Sequence, residues 1–334
     1  MKKTFLIIIA SALIIAALGF IKWRHLQRPI LITQNIPFKI DSGMSATEIV
    51  DKLESNQIIT DGQALLWYLK LTGQDGNFIA GTYWLKPEYD SLDLIAVFGG
   101  EGETVGKVTI VEGWDQLQIA AELTEQNIVS GLDFLDEVEN GDWRAQSLWT
   151  FWDGKPVEAD LEGYLYPDTY YFNPAEGSSG VIDKLLMNFD KKLTPELRQE
   201  IKNQKKTIYE VVTMAAIVEK EMFGYEDRRI VADIFWKRLE IGMPLQSDAT
   251  INYITKKGTT RPSYADLEIQ HPYNTYENKG LPPGPICNPS IEAIKAVIYP
   301  EKNDYYYFLN TADGRIIYSR TFDEHVANKQ KYLN

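Results

Sequence analysis

This 334-residue chain has one cysteine, Cys287, and only three histidines, His25, His271 and His325. A single thiol excludes an intramolecular disulfide. That is neutral about compartment, because an exported protein of this size can do without bridges. The histidines show no metal spacing: there is no His-Glu-x-x-His, no paired cysteine and no Gly-rich phosphate loop. Neither a metal nor a cofactor is expected. With no histidine near it in sequence and prolines around it, Cys287 reads as a small packing residue, not a nucleophile. Positive charge is scarce too: 34 Lys and Arg face 47 Asp and Glu, a net of −13. Phosphate binding wants a basic surface and no later Lys/Arg cluster supplies one, which excludes nucleic acid as a partner. A neutral or amide-bearing polymer is compatible with this charge, though charge does not select it.

The 44% hydrophobic and 12% aromatic content fits a folded protein long enough for two domains. Thr4 to Ile21 carry no charge, so residues 4–22 are long enough to span a bilayer, behind a three-residue tail and ahead of a linker over 23–36. Trp23 suits the interface. A cleaved signal peptide would have a shorter apolar core ending at small residues, whereas this run stops at Lys22-Trp23-Arg24. An uncleaved single-pass anchor is expected. Lys2, Lys3 and the α-amine before the run balance Lys22, Arg24 and Arg28 after it, so charge does not decide orientation. Residues 1–28 hold five basic and no acidic side chains, which leaves 29 against 47 in the remainder, a net of −18. Anionic lipid would repel that part of the chain, which should stand off the membrane on its stem.

Two short units repeat at a spacing of seventy residues. Ile40, Gly43, Ile49, Leu53, Ile58 and Ile59 correspond to Ile110, Gly113, Ile119, Leu123, Ile128 and Val129. Each reads as strand, glycine turn and helix, in modules over 37–104 and 105–159. Ser45 with Glu48 has the capping-box pattern, and Asp115 is the corresponding cap. Gly81 to Leu85 reads as a later strand. Trp67, Tyr68, Tyr83 and Trp84 could stack on a ligand, although aromatics at such positions are more often core.

The chemistry concentrates further on. Thr207 to Met222 has helical periodicity and ends in Glu219-Lys220-Glu221 after an apolar run. A carboxyl group held half out of water at such a helix end has a raised pKa, useful for donating a proton near neutral pH. Glu219 and Glu221, two apart, lie on different faces. A second helix is expected over Glu226 to Glu240, stopping at Gly242, and a third behind Leu245-Gln246-Ser247-Asp248, with Ser247 or Asp248 as its cap. Tyr273-Asn274-Thr275-Tyr276 and Gly280 to Ile286 read as loops. Asn288 is expected to cap a helix with Pro289 in its first turn. Tyr305 to Leu309 and Arg315 to Ser319 read as a hairpin about Asp313-Gly314, before a helix starting at Asp323. Leu161 to Phe172 is dense in aromatics, with a strand at Tyr170 to Phe172 after the Pro167-Asp168 turn.

In this order and spacing, Glu162-Gly163-Tyr164, Ala215 to Glu221, Leu245 to Thr250, Tyr273 to Tyr276 and Gly280 to Ile286 resemble the endolytic murein transglycosylase, or YceG-like, family. The resemblance runs from residue 162 to the C-terminus and more weakly upstream. It implies an α+β fold: a transmembrane helix, small LysM-like βα modules, then a mixed α+β catalytic domain over 160–334. LysM modules bind N-acetylated sugars, so glycan docking or a plain spacer role stands open for the first module.

The resemblance places the essential acid on Glu221, with Glu219 as second candidate. Glu219 could instead pair structurally with Arg228 or Arg229. Glu162, Tyr164 and Asp168 would face the substrate groove, and Gln246 and Asp248 the cleft. Ser247 and Ala249 depart from the Thr and Pro common in the family, with little functional change expected. Tyr273, Asn274, Thr275, Leu281 and Pro282 complete the expected sugar-binding set. The implied activity cuts glycan strands at the membrane, leaving 1,6-anhydro ends, with the bulk of the chain outside the bacterial inner membrane and peptidoglycan synthases as partners. A water-using hydrolase, with Asp248 or Glu219 positioning the water, and a non-catalytic scaffold are the alternatives.

Overall fold

A computed structural model describes residues 11, 13–14, 17, 19–76, 78–101, 105–143, 149–258, 262–311 and 313–333. The apolar run Thr4 to Ile21 thus lies mostly outside the described residues. Among those described, no helix is long and apolar enough to cross a membrane. The chain divides into two compact units, residues 1–107 with 171–175, and residues 108–170 with 176–334.

The first unit pairs β1 (Ile36–Ile40) antiparallel with β2 (Gly81–Leu85), Ile36 opposite Leu85 and Ile40 opposite Gly81. Between them run α1 (Ala46–Ser55) and α2 (Gly62–Thr72), and α3 (Ser91–Ala96) follows. The capping box of Ser45 and Glu48 forms as the spacing requires. Ile49, Val50 and Leu53 of α1 bury against Phe38, Tyr83, Leu85 and Phe98. Tyr83 is core, its ring 5.2 Å from Phe98 and its hydroxyl donating to the Ile79 carbonyl at 2.8 Å. Trp67, by contrast, is exposed.

β3 (Gly106–Thr109) forms a second two-stranded sheet with β4 (Thr169–Phe172). The repeat is real in three dimensions. Gly113, like Gly43, takes a left-handed backbone, with φ 78° against 86°, which a side chain would resist. It leads into α4 (Gln116–Glu125), capped by Asp115 with Gln118 completing the box, and then α5 (Gly131–Asn140). The larger unit continues with α6 (Gly177–Lys192), α7 (Pro195–Asn203), α8 (Ile208–Glu221), α9 (Tyr225–Glu240), α10 (Asp248–Thr255) and the single turn α11 (Tyr264–Leu267). It closes with α12 (Ile291–Ile298), the hairpin of β5 (Tyr307–Asn310) and β6 (Ile316–Ser319), and α13 (Phe322–Tyr332).

The centre of this unit is α8. Thr207 caps it, with Glu210 completing the box, and every residue from Val211 to Glu219 is buried. A helix apolar on all sides must be surrounded. Here α9 and α12 pack against it, and Cys287 is buried with its sulfur 3.3 Å from the Ala216 carbonyl. One expected cap is wrong. Ser290, not Asn288, caps α12. Asn288 is wholly buried, where its amide is worth more joining separate segments than capping one helix.

Candidate active site

Glu221 is the last residue of α8, at the negative end of the helix dipole, and is partly buried. One carboxylate oxygen accepts from Ser247 Oγ at 2.5 Å, and the Ala249 backbone N–H also donates to the group. Burial pushes its pKa above the usual carboxyl range. The Ser247 donor opposes this, the charge of Asp248 adds to it, and the Ala249 amide and Arg238 oppose it. The helix terminus acts in the same upward sense as burial.

Ser247 holds the N-cap position of α10 yet makes no capping bond to its own helix. Its hydroxyl goes to Glu221 instead. Its backbone is fixed independently: the N–H donates to Thr275 Oγ1 at 3.0 Å, and the carbonyl accepts from Thr250 Oγ1 at 2.8 Å. Before it, Gln246 sits at φ 52°, a left-handed conformation that costs a non-glycine residue roughly 1 kcal/mol. Its N–H bonds to the Thr275 carbonyl at 3.0 Å, and its side chain is exposed. Asp248, one residue on, accepts from Tyr276 Oη at 2.5 Å. Buried Arg238 reaches under the segment, donating to the Leu245 and Tyr306 carbonyls at 2.7 Å each. Glu221, Ser247, Asp248, Tyr276 and Arg238 therefore form one constellation.

The remaining expected residues divide. Asn274 is wholly buried, its amide nitrogen donating to the Leu267 and Ile269 carbonyls and its oxygen accepting from Tyr276 N–H. Thr275, also buried, holds Ser247 and Thr250. Both are buried and shape the loop that carries Tyr276 and Ser247. Tyr273 lies beside Tyr253, ring centroids 5.1 Å apart. Leu281 and Pro282 line a separate cavity described below. Tyr164 is fully buried with Phe151, Trp152 and Phe189 around it, so it is core and not groove. Asp168 is exposed, 3.4 Å from Lys192 and bonded to Asn188.

Glu219 takes the structural alternative, with Arg228 and not Arg229 as partner. The two side chains are bonded and nearly inaccessible, and Ser290 N and Oγ occupy the other carboxylate oxygen at 2.9 and 2.5 Å. The pair locks the end of α8 to the start of α9, and Ser290 ties both to the start of α12. Glu219 and Glu221 lie two positions apart, and opposite faces of one helix give them opposite employment.

Glu162 is buried as well. Its oxygens accept from Asn288 Nδ2 at 2.8 Å and Gln116 N–H at 3.1 Å, while Asn288 Oδ1 accepts from Gly163 and Leu165 N–H at 2.9 Å. Burial raises its pKa to about 8. The unfolded carboxyl ionises near 4.5, so between about 4.5 and 8 the native state holds a proton that the unfolded chain has released. Stability should fall as pH rises through that window. The slope of Tm against pH should flatten in Glu162→Gln; an unchanged slope would show that Glu162 is ionised in the native state.

Sequence reasoning missed Tyr276 and Arg238. Tyr276 closes the polar loop already singled out. Arg238 follows Val231 by seven and Phe235 by three, so it falls on the apolar stripe of α9, and a cation in that position signals a buried anchor. Among the described residues no group of His, Cys, Asp and Glu could hold a metal ion.

The YceG-like family profile matches residues 38–331. The endolytic murein transglycosylase of Bacillus subtilis (strain 168) is 34% identical over 308 residues, 90% of this chain and 85% of that protein. The protein of the same name from Streptococcus pneumoniae serotype 2 (strain D39) is 31% identical over 88% of this chain, which spans only 58% of its length. The 2.6 Å crystal structure of a yceG-like protein from Listeria monocytogenes aligns with a TM-score of 0.63 and 31% identity, over 89% of this chain and 99% of that one.

Proposed function

The chain belongs to the YceG-like family, and we propose on that premise that it is a lytic transglycosylase that cuts within the glycan strands of murein. One observation carries the reading: a single carboxyl group, Glu221, is partly buried, held by Ser247 Oγ and Ala249 N–H, and shifted upward in pKa. A glycosidase that uses water needs a second carboxylate as nucleophile or base. Glu219 is unsuited to that, because Arg228 and Ser290 occupy both of its oxygens. Asp248 already accepts from Tyr276.

The chemistry then needs one group used twice. Glu221, protonated, gives its proton to the glycosidic oxygen as the bond from that oxygen to C1 of the N-acetylmuramoyl sugar breaks. The C6 hydroxyl of the same sugar attacks C1, and the Glu221 carboxylate takes the C6 proton. A 1,6-anhydro end and a free 4-hydroxyl result, with no water consumed. Ser247 Oγ and Ala249 N–H stabilise the carboxylate between the two transfers. Asp248, with its Tyr276 partner, favours the protonated form before them.

The substrate is a neutral glycan bearing short peptides with carboxyl and amino groups. The apolar run at residues 4–22 would anchor the enzyme in the bacterial inner membrane with the remainder outside, beside synthases making new strands. The first unit would serve as a LysM-like docking module; it carries a cleft of about 260 Å³ with Tyr68 and Phe78 among its walls. Digestion of uncrosslinked strands tests the central claim. Products should lack the 18 mass units that hydrolysis adds; a hydrated reducing end would select the hydrolase, and no turnover the scaffold.

Ser247→Ala separates catalysis from stability. Its hydroxyl caps nothing, so melting should change little. Loss of the donor favours neutral Glu221, so the alkaline limb of the rate profile should move to higher pH, and kcat should fall about tenfold. An unmoved limb would remove Ser247 from the mechanism.

A further inference from the structure

A cavity of about 550 Å³, within the size range of small-ligand sites, opens beside the first half of α8. Glu210 and Thr213 of α8, Trp236 and Glu240 of α9, and Leu281 and Pro282 form part of its wall, and Lys206 stands at its edge. Glu221, Ser247, Asp248 and Tyr276 take no part in it. Glu210 nevertheless precedes Glu221 by eleven residues, three turns of helix, which puts the two on the same side of α8 and about 16 Å apart along it. The loop that seats Tyr276 against Asp248 runs on directly into Leu281 and Pro282. Cavity and acid are successive stations on one face of the helix.

Of the polar groups of this cavity, Glu210 is committed to the Thr207 cap of α8 and the Tyr209 hydroxyl to the Pro283 carbonyl, which leaves Lys206, Thr213 and Glu240. Lys206 Nζ lies 4.2 Å from the Trp236 ring centroid and donates to Gln204 Oε1 at 3.0 Å. It makes no ion pair among the described residues, and neither does Glu240. The Thr213 hydroxyl is buried, at 1% exposure for the residue, with no hydrogen-bond partner among the described residues. A buried hydroxyl left unbonded is destabilising, a cost that a ligand carbonyl would recover. Between these groups the wall is apolar: Trp236, Leu239, Leu281 and Pro282. A cation and a carboxylate flanking an apolar floor match a short peptide carrying both a carboxylate and an amine. A sugar ring offers neither charge.

We propose that this cavity binds the peptide branch of a murein strand whose glycan is cut at Glu221. The branch carboxylate would meet Lys206, its amine Glu240, and a peptide carbonyl the Thr213 hydroxyl. The identity of the ligand rests on the transglycosylase reading; the site itself does not. Recognition of the branch would make the enzyme prefer strands that still carry peptides.

The full chain in detergent, titrated with a synthetic alanyl-γ-glutamyl-lysine tripeptide, tests this. The indole N–H resonance of Trp236, assigned by its loss in Trp236→Phe, should shift saturably, and Lys206→Gln should weaken the apparent affinity at least tenfold. In turnover, kcat/KM for peptide-bearing strands should exceed that for peptide-stripped strands about tenfold, and the ratio should fall toward one in Lys206→Gln. No shift at millimolar tripeptide, or a ratio unchanged in Lys206→Gln, overturns the proposal. If Glu221→Gln retains anhydro products while the tripeptide still shifts Trp236, the catalytic assignment fails and the peptide site stands.

Discussion

Glu221→Gln will abolish the formation of anhydro ends while leaving the protein folded. The amide is nearly isosteric and can still accept from Ser247 Oγ and the Ala249 amide, the contacts that seat the side chain. It cannot give up or take a proton at any working pH. General acid–base transfer is worth roughly 10²–10⁴ in rate, and here one group performs both transfers, so kcat should drop by about three orders of magnitude. Melting should stay level or rise slightly, because a neutral group suits a partly buried site better than an ionisable one. The check is anhydro product released per enzyme, read by mass spectrometry beside the thermal transition of the same preparation. Release at the parental rate would remove Glu221 from the chemistry. Loss of product together with loss of the transition would leave the acid's role unproved and point to Glu221→Asp as the next variant.

Arg228→Met should have the largest effect on stability. It strands the Glu219 carboxylate inside the protein with only Ser290 donating to it. Removing one partner of a buried pair typically costs about 3–5 kcal/mol, and Tm should fall by roughly 6–20 °C in a unit of this size. Arg229→Met is the control. Its pairs with Glu226 and Glu301 are solvent-exposed, and such pairs are worth less than about 1 kcal/mol. Replacing Arg228 and Glu219 together by apolar residues should recover part of the loss, which a simple packing defect would not do. Equal melting of the two single variants would disprove the assignment.

The elements were largely readable because periodicity, caps and glycine turns act over a few residues. Ser45 with Glu48, Asp115 behind Gly113 and Thr207 before α8 each announce a helix start that the fold uses. Glu221 and Ser247 were readable as members of an ordered set, and the structure brings them into contact. What could not be read is which polar residues face inward. Glu162, Asn274, Thr275 and Asn288 have side chains that would suit a sugar, yet distant segments occupy Glu162, Thr275 and Asn288, and the folded-back loop occupies Asn274. Asn288 joins residues more than a hundred positions away, and no local pattern encodes such a link. Tyr164 failed for the opposite reason: its aromatic partners Phe151 and Phe189 lie in other segments, so a groove and a core read alike.

The enclosure of α8 on every side also bears on time. Amides within such a helix exchange with solvent only when the whole unit opens, so the acid at its end stands on the slowest-opening part of the molecule. The partners of Glu221, in contrast, come from loops and a short helix at the rim, where local opening is cheaper. Admission and release of a polymer can therefore be governed by movement at the rim, while the proton-carrying group keeps its position throughout.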